Sequence, residues 1–286
     1  MALKVRPGIM EIAPYVGGES ALPGFAQPIK LSSNENPLGP SPKAMAAFRD
    51  AAADLHRYPD GGAERLREGI ARRFGLVAQH IVCGNGSDEL IALLTRAYAG
   101  PGDEVLFSRH GFLMYRLSAL AVGATPKWAP EKNLRTNVEA LLAMVTPATR
   151  IVFLGNPNNP TGSYLTGPEL SELRQRLPGD VLLAIDAAYA EFVEADDYDS
   201  GESLVRAGDN TLMLRTFSKI YGLAALRLGW AYCPPAVADV LNRVRGPFNT
   251  SAPAQAAALA ALDDREHESK TRIHNKTWRE WLLGEL

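Results

Sequence analysis

Thr216-Phe217-Ser218-Lys219-Ile220-Tyr221-Gly222-Leu223 stands between two apolar runs, Thr211 to Leu214 and Leu228 to Cys233, with Arg227 eight positions after the lysine. A polar turn between two short β-rich runs reads as a loop at the edge of a sheet. Further out, His80 to Cys83, Glu104 to Phe107, Arg150 to Leu154 and Val181 to Ile185 are candidate strands of the same kind. They are nearly all apolar rather than alternating, as expected where helices cover both faces of a sheet. Between them, Leu66, Ile70 and Phe74 repeat at helical spacing before Gly75, and Leu90, Leu94 and Ala97 do so before Gly100. The alternation predicts an α/β fold, a mostly parallel sheet with helices on both faces.

In open sheets of this kind ligands bind beyond the carboxyl ends of the strands. The residues able to do chemistry fall there. Gly84-Asn85-Gly86-Ser87 follows one candidate strand, Asn156-Pro157-Asn158-Asn159-Pro160-Thr161-Gly162 another, Asp186-Ala187-Ala188-Tyr189 a third, and Thr216 to Lys219 a fourth.

The 286 residues suffice for one large domain and a smaller one. A formal net charge of -2 leaves no basic excess for a nucleic-acid backbone or an anionic membrane, so a small-molecule partner is expected. No apolar run approaches membrane-spanning length, which predicts a soluble, cytoplasmic protein. Cys83 and Cys233 both sit in apolar stretches and read as packed thiols.

A lone lysine is usually solvated. Beside Phe217, Leu223, Leu226 and Arg227, Lys219 gains what lowers an amine pKa, namely desolvation and a nearby cation. Asp186 closes its strand at the ligand-binding edge; it can cap the next segment or pair with a cationic ring nitrogen. Asn159 and Tyr189 can donate to a phenolate oxygen or simply pack. Ser87 can cap a helix, with Asp88 and Glu89 in its first turn, and that helix end can also hold a phosphate together with Thr216, Ser218 and Arg227. An amine, a carboxylate, phenolate donors and a phosphate cup form the set that pyridoxal phosphate requires, predicting an internal imine at Lys219.

Metal and hydrolase chemistry find little support. His56, His80, His110, His267 and His274 show no zinc-binding spacing, and His267 and His274 read as surface residues of a polar helix. Asp196-Asp197-Tyr198-Asp199-Ser200-Gly201 puts its glycine out of place for a calcium loop, and no nucleophile elbow precedes a helix.

Three parts are expected: an N-terminal arm over residues 1–30, a large cofactor-binding domain over 31–250, and a partial small domain over 251–286. The last part is read as two helices carrying Ile273, Trp278, Trp281 and Leu282, too short for a core of its own.

The motifs together resemble those of fold-type I pyridoxal-phosphate aminotransferases, most closely the histidinol-phosphate aminotransferases. The resemblance rests on Leu31-Ser32-Ser33-Asn34-Glu35-Asn36-Pro37-Leu38-Gly39-Pro40-Ser41-Pro42, on Arg57-Tyr58-Pro59-Asp60, on Asn158 to Gly162, and on Thr216 to Lys219 with Gly222-Leu223-Ala224 and Leu226-Arg227-Leu228-Gly229. It implies transamination of histidinol phosphate with 2-oxoglutarate to imidazole-acetol phosphate and glutamate, in histidine biosynthesis. Lys219 is implied as the imine lysine, Asp186 as the pyridinium partner, and Asn159 with Tyr189 as phenolate donors. Ser87, Asp88, Thr216, Ser218 and Arg227 match phosphate positions, Phe112 the ring-stacking aromatic, and Tyr15 and Asn36 substrate-side positions. Tyr58 matches a tyrosine that reaches the neighbouring subunit's site, which implies a homodimer.

The cofactor residues resemble those of aromatic-amino-acid aminotransferases and threonine-phosphate decarboxylase almost as well. Alanine at 187 replaces a frequent glutamate of the family. Because relatives continue beyond the position of Leu286, the resemblance leaves two expectations, a working aminotransferase and a shortened cofactor-binding protein of weak activity.

Overall fold

The computed structural model describes residues 3–14, 23–25 and 28–286. Among the described residues nine strands are formed: β1 (Ile81–Gly84), β2 (Glu104–Ser108), β3 (Thr125–Ala129), β4 (Glu131–Lys132), β5 (Arg135–Thr136), β6 (Thr149–Gly155), β7 (Leu182–Asp186), β8 (Thr211–Thr216) and β9 (Gly229–Tyr232). Seven make one sheet in the order β1-β9-β8-β7-β6-β2-β3, while β4 and β5 form a separate ribbon. Neighbours from β8 through β3 are parallel, and β9 runs antiparallel to both β8 and β1.

The sheet is mostly parallel, as expected, with β9 as its single reversed strand. The cause of the reversal is the connection from β8, which makes the Lys219 turn and one short 3-10 segment, Ala224–Leu226, in place of a crossover helix. Without a crossover, the chain can only return antiparallel. The edge strand β3 has no counterpart among the expected strands. Its sequence, Thr125-Pro126-Lys127-Trp128-Ala129, lacks a clear period, and proline is tolerated in a sheet mainly at such an edge.

The described residues also form ten α-helices: α1 (Pro42–Ala51), α2 (Glu64–Phe74), α3 (Gly86–Tyr98), α4 (Leu113–Val122), α5 (Val138–Ala143), α6 (Gly167–Arg176), α7 (Glu202–Ala207), α8 (Pro235–Val244), α9 (Ala252–Leu262) and α10 (Arg265–Glu285). Side chains on the strands alternate between two cores. Ile151 and Phe153 of β6 join Leu90, Leu94 and Leu241 on one face, while Val152 and Leu154 join Leu141, Leu170 and Leu173 on the other. Both faces are thus covered, so runs such as Ile151-Val152-Phe153-Leu154 contain no polar position.

A third cluster unites α1, α2 and α9 with Met213 of β8 and Trp230 of β9. Alanines 254, 257, 258 and 261 let α9 lie close to its neighbours. A Cβ on Gly69 of α2 would come within 2.3 Å of Leu259, which shows how tightly the two helices meet. From α10, Glu268 binds Arg73 at 2.8 Å and Arg272 at 2.8 Å, tying that helix to α2. Farther along α10, Ile273, Trp278, Trp281 and Leu282 are exposed.

Candidate active site

Strands β7 and β8 end side by side, with Asp186 paired in register to Leu214, and their following loops leave the same edge. Above that edge lies a cavity of about 790 Å³, walled by Asn34, Asn36, Asn159, Tyr189, Lys219 and one face of α10.

The half-buried Lys219 donates from Nζ to the carbonyl oxygens of Ser33 at 3.0 Å and Asn34 at 3.4 Å. The same nitrogen lies 5.6 Å from the centre of the Tyr189 ring. Removal from water depresses its pKa, and the Arg227 charge acts in the same direction, against Asp88, Glu35 and Asp186. Tyr189 accepts at its hydroxyl from Asn34 Nδ2 at 3.0 Å.

Asp186 is buried. Its Oδ2 accepts from the Tyr115 hydroxyl at 3.0 Å, whereas Oδ1 has no partner among the described residues. Burial pushes the carboxyl up from 3.8 to about 6, with Asp88 adding to the rise and Tyr115, the Ala188 backbone N–H and Lys219 opposing it. An unpaired buried acceptor costs about 1–3 kcal/mol, so Oδ1 is open to a donor beyond those of the described residues.

On the other side, Arg227 meets the first turn of α3. Its Nη2 donates to Asp88 Oδ2 at 3.1 Å, while Nη1 donates to the Ala224 carbonyl at 3.0 Å and to Ser218 Oγ at 3.5 Å. Thr216 Oγ1 donates to Ser218 Oγ at 3.0 Å. Arg227 occupies the left-handed region at φ 51°, where a side chain other than glycine is strained. Two glycines allow this approach. A Cβ on Gly86 would fall 2.5 Å from Arg227 Nη2, and one on Gly229 would fall 2.5 Å from Ser87 N.

The helix starts two residues earlier than its sequence suggests. Asn85 holds the N-cap position and Gly86 opens α3, which displaces Ser87 from the expected cap. The reason is Glu89, whose carboxylate accepts from Asn85 N and so satisfies the helix start without a hydroxyl; Asn249 holds that carboxylate at 2.7 Å.

Asn158 donates to the His110 carbonyl at 3.1 Å and to Thr161 at 2.9 Å, which fixes the loop from which Asn159 faces the cavity. Asn36 also lines the cavity, but its amide nitrogen donates to Ile220 O at 3.0 Å and Thr271 Oγ1 at 3.4 Å, linking the 32–38 loop to the Lys219 turn and to α10. His267 is half-buried and bonds the Gly39 carbonyl at 3.0 Å, in contrast to the surface position expected for it. The half-buried ring of Phe112 meets Tyr115 edge-on at 5.8 Å. Tyr58 lies apart from the cavity walls; its ring is 82% exposed and stacks on Phe248 at 4.6 Å. Tyr15 falls outside the described residues.

An orphaned acid oxygen, a desolvated amine and an arginine cup joined across one sheet edge fit the ring nitrogen, aldehyde and phosphate of pyridoxal phosphate. Residues 26–286 match the family model of aminotransferase class I and II. A histidinol-phosphate aminotransferase of Paramagnetospirillum magneticum is 62% identical over 98% of this chain and 77% of its own length. The chain belongs to the histidinol-phosphate aminotransferases. A second relative of that name, from Rhodospirillum centenum, is 58% identical over 98% of this chain and 78% of its own. The histidinol-phosphate aminotransferase of Sinorhizobium meliloti, solved in complex with pyridoxal-5'-phosphate, superposes with a TM-score of 0.83 at 32% identity, over 87% of this chain and 68% of that one.

In this aminotransferase three residues near the site escape sequence reading. Tyr115, three residues after Phe112, has the spacing of an ordinary packed helix residue, and its only advance signal is that a buried tyrosine hydroxyl needs a partner. Thr271 and His274 reach the cavity from α10, more than fifty residues beyond Lys219. Ala187 is fully buried in the core cluster, so its side chain packs into the interior of the protein.

Proposed function

We propose that this enzyme exchanges an amino group between histidinol phosphate and 2-oxoglutarate, giving imidazole-acetol phosphate and glutamate, with pyridoxal 5'-phosphate as cofactor. The supporting observation is the meeting of Lys219 and Asp186 at one edge, with Asp186 Oδ1 unpaired. Bound pyridoxal phosphate supplies an aldehyde to take the amino group and a ring to accept electrons.

The remaining work falls to side chains. Asp186 Oδ1 accepts from the ring nitrogen and keeps it protonated, the state in which the ring draws electrons best. Arg227, Ser218, Thr216 and the first turn of α3 at Ser87 and Asp88 bind the phosphate, where the guanidinium fork and the helix start both favour an anion. Asn159 and Tyr189 orient the ring through its phenolate oxygen. Phe112 covers a ring face and helps exclude water. Lys219 Nζ has a pKa depressed by burial and is therefore suited to move a proton at the substrate carbon. Asn36 and Tyr15 stand on the substrate side, and the enzyme's partners are small molecules.

A homodimer in which Tyr58 completes the neighbouring site is supported by the outward ring of Tyr58 and its stacking on Phe248. Among the described residues no helix is long and apolar enough to cross a membrane, which agrees with work in the cytoplasm.

The test is spectroscopic. Added glutamate should shift the absorbance of the pyridoxal form to that of the pyridoxamine form, and imidazole-acetol phosphate should reverse the shift. A cofactor band indifferent to both would refute the assignment. Release of carbon dioxide from threonine phosphate would transfer it to decarboxylation.

A further inference from the structure

We propose that Tyr115 is a positioning residue for amino transfer: by holding one oxygen of Asp186 it aims the other at the cofactor's ring nitrogen. The inference rests on the functional reading above and extends it to a residue outside the cavity wall.

Tyr115 is 1% exposed and stands in the first turn of α4. Its ring lies parallel to Phe153 of β6, with centres 4.8 Å apart and planes 4° apart. Phe112 meets it edge-on and Phe107 tilts against it at 6.1 Å. Three aromatic neighbours therefore leave the ring one orientation, and that orientation delivers the hydroxyl to Asp186 Oδ2 at 3.0 Å. A carboxylate is free to turn about its last torsion, for which rotamer preferences are broad and nearly two-fold. The Tyr115 hydrogen bond, with the Ala188 backbone N–H as a second restraint on the carboxyl, limits that freedom and leaves Oδ1 without a hydrogen-bond partner among the described residues. Burial and the adjacent Asp186 charge raise the Tyr115 pKa well above its ordinary value, so the hydroxyl stays protonated and can only donate to the carboxylate. Phe112 touches the same ring, so the residue expected to cover the cofactor and the residue steering its acid belong to one aromatic group.

Tyr115→Phe deletes the hydroxyl and keeps the ring. Pyridoxal 5'-phosphate is titrated into cofactor-free wild type, Tyr115→Phe, Asp186→Asn and the double variant. Tyr115→Phe should bind about tenfold more weakly, the size expected for a lost hydrogen bond to a charged group. It should cause no further loss once Asp186 is asparagine, because a residue acting through Asp186 has nothing left to position. Unchanged affinity in Tyr115→Phe, or losses that multiply in the double variant, would overturn the proposal while leaving the functional reading intact. Failure of the wild type to take up the cofactor would overturn both. A second measurement avoids dependence on the folding of Tyr115→Phe: the carbon-13 resonance of the Tyr115 hydroxyl-bearing carbon should move in Asp186→Asn, and a resonance that stays in place would refute the link.

Discussion

The floor and the rim of the cavity are built differently. The floor, where Lys219 lines the cavity and the buried Asp186, Thr216 and Ser218 stand behind it, hangs on strands β7 and β8, whose positions are set by cores on both faces of the sheet. The rim, formed by the 32–38 loop and the outer half of α10, is made of segments far apart in sequence that meet through few contacts, such as Asn36 to Thr271 at 3.4 Å. Residues at the strand ends are fixed by the sheet, whereas those of the rim stand on more exposed segments. Loops on a rigid scaffold commonly divide the work this way. Each substitution below strains the contrast between floor and rim, beginning with the largest effect.

At the floor, Lys219→Ala removes the amine, and amino transfer should fall by at least about a thousandfold. Thermal melting should not suffer, since the lost group is a desolvated cation whose hydrogen bonds among the described residues go to two carbonyl oxygens. A variant retaining a tenth of the wild-type rate would detach catalysis from the floor.

Where α10 joins the body, Glu268→Ala leaves Arg73 and Arg272 without their shared carboxylate. Glu268 is 5% exposed, and breaking a buried ion pair from one side costs about 3–5 kcal/mol. Urea denaturation reads the loss. A change below about 1 kcal/mol would mean that α10 is rim along its whole length.

Asp186 makes the floor sensitive to pH. Its carboxyl is raised from 3.8 to about 6 by burial, so the folded cofactor-free chain binds that proton more tightly than the unfolded chain does. The associated stability is present below about pH 4, declines as pH rises through the folded value, and is gone above it, a change of about 3 kcal/mol. Asp186→Asn does not titrate. Relative to wild type it should therefore become more stable between about pH 4 and pH 6; parallel curves would place the carboxyl in water.

Gly229→Ala sharpens the comparison by filling space between α3 and β8. The added methyl would meet Ser87 N at 2.5 Å and Arg215 O at 2.9 Å, both backbone atoms that cannot swing aside. Overpacking of this kind costs about 2 kcal/mol, and the displaced first turn of α3 should also weaken phosphate binding. Calorimetry and cofactor titration measure the two effects.

The same division governs what could be read from sequence. Six sheet strands appear as apolar runs because two-sided burial leaves no room for polar residues, and Lys219, Asp186 and Arg227 stand out because they interrupt or end those runs. The reversal of β9 was hidden because orientation depends on what connects two strands, and the Lys219 turn occupies the space of a crossover helix without resembling its absence. The Tyr115 contact was hidden for another reason. It joins residues 71 positions apart, one at the start of α4 and one at the end of β7, and no local pattern encodes such a meeting. Asn36 illustrates a third limit, since its residue type suits substrate binding and protein cross-linking equally, and only the positions of Ile220 and Thr271 reveal the second.

The smallest effect belongs to the outer rim. Trp278 and Trp281 are each 54% exposed and meet at 5.7 Å, nearly perpendicular. An aromatic pair adds about 1 kcal/mol beyond its buried area, and here much of that area already faces water. Trp281→Ser should therefore change unfolding free energy by no more than about 1 kcal/mol, while lowering the binding of an apolar dye that reports exposed hydrophobic surface. A loss of several kcal/mol would show that something covers this face of α10 in solution. The outer helix would then rank with the floor in rigidity, and the contrast between a fixed base and a loosely held margin would no longer describe the molecule.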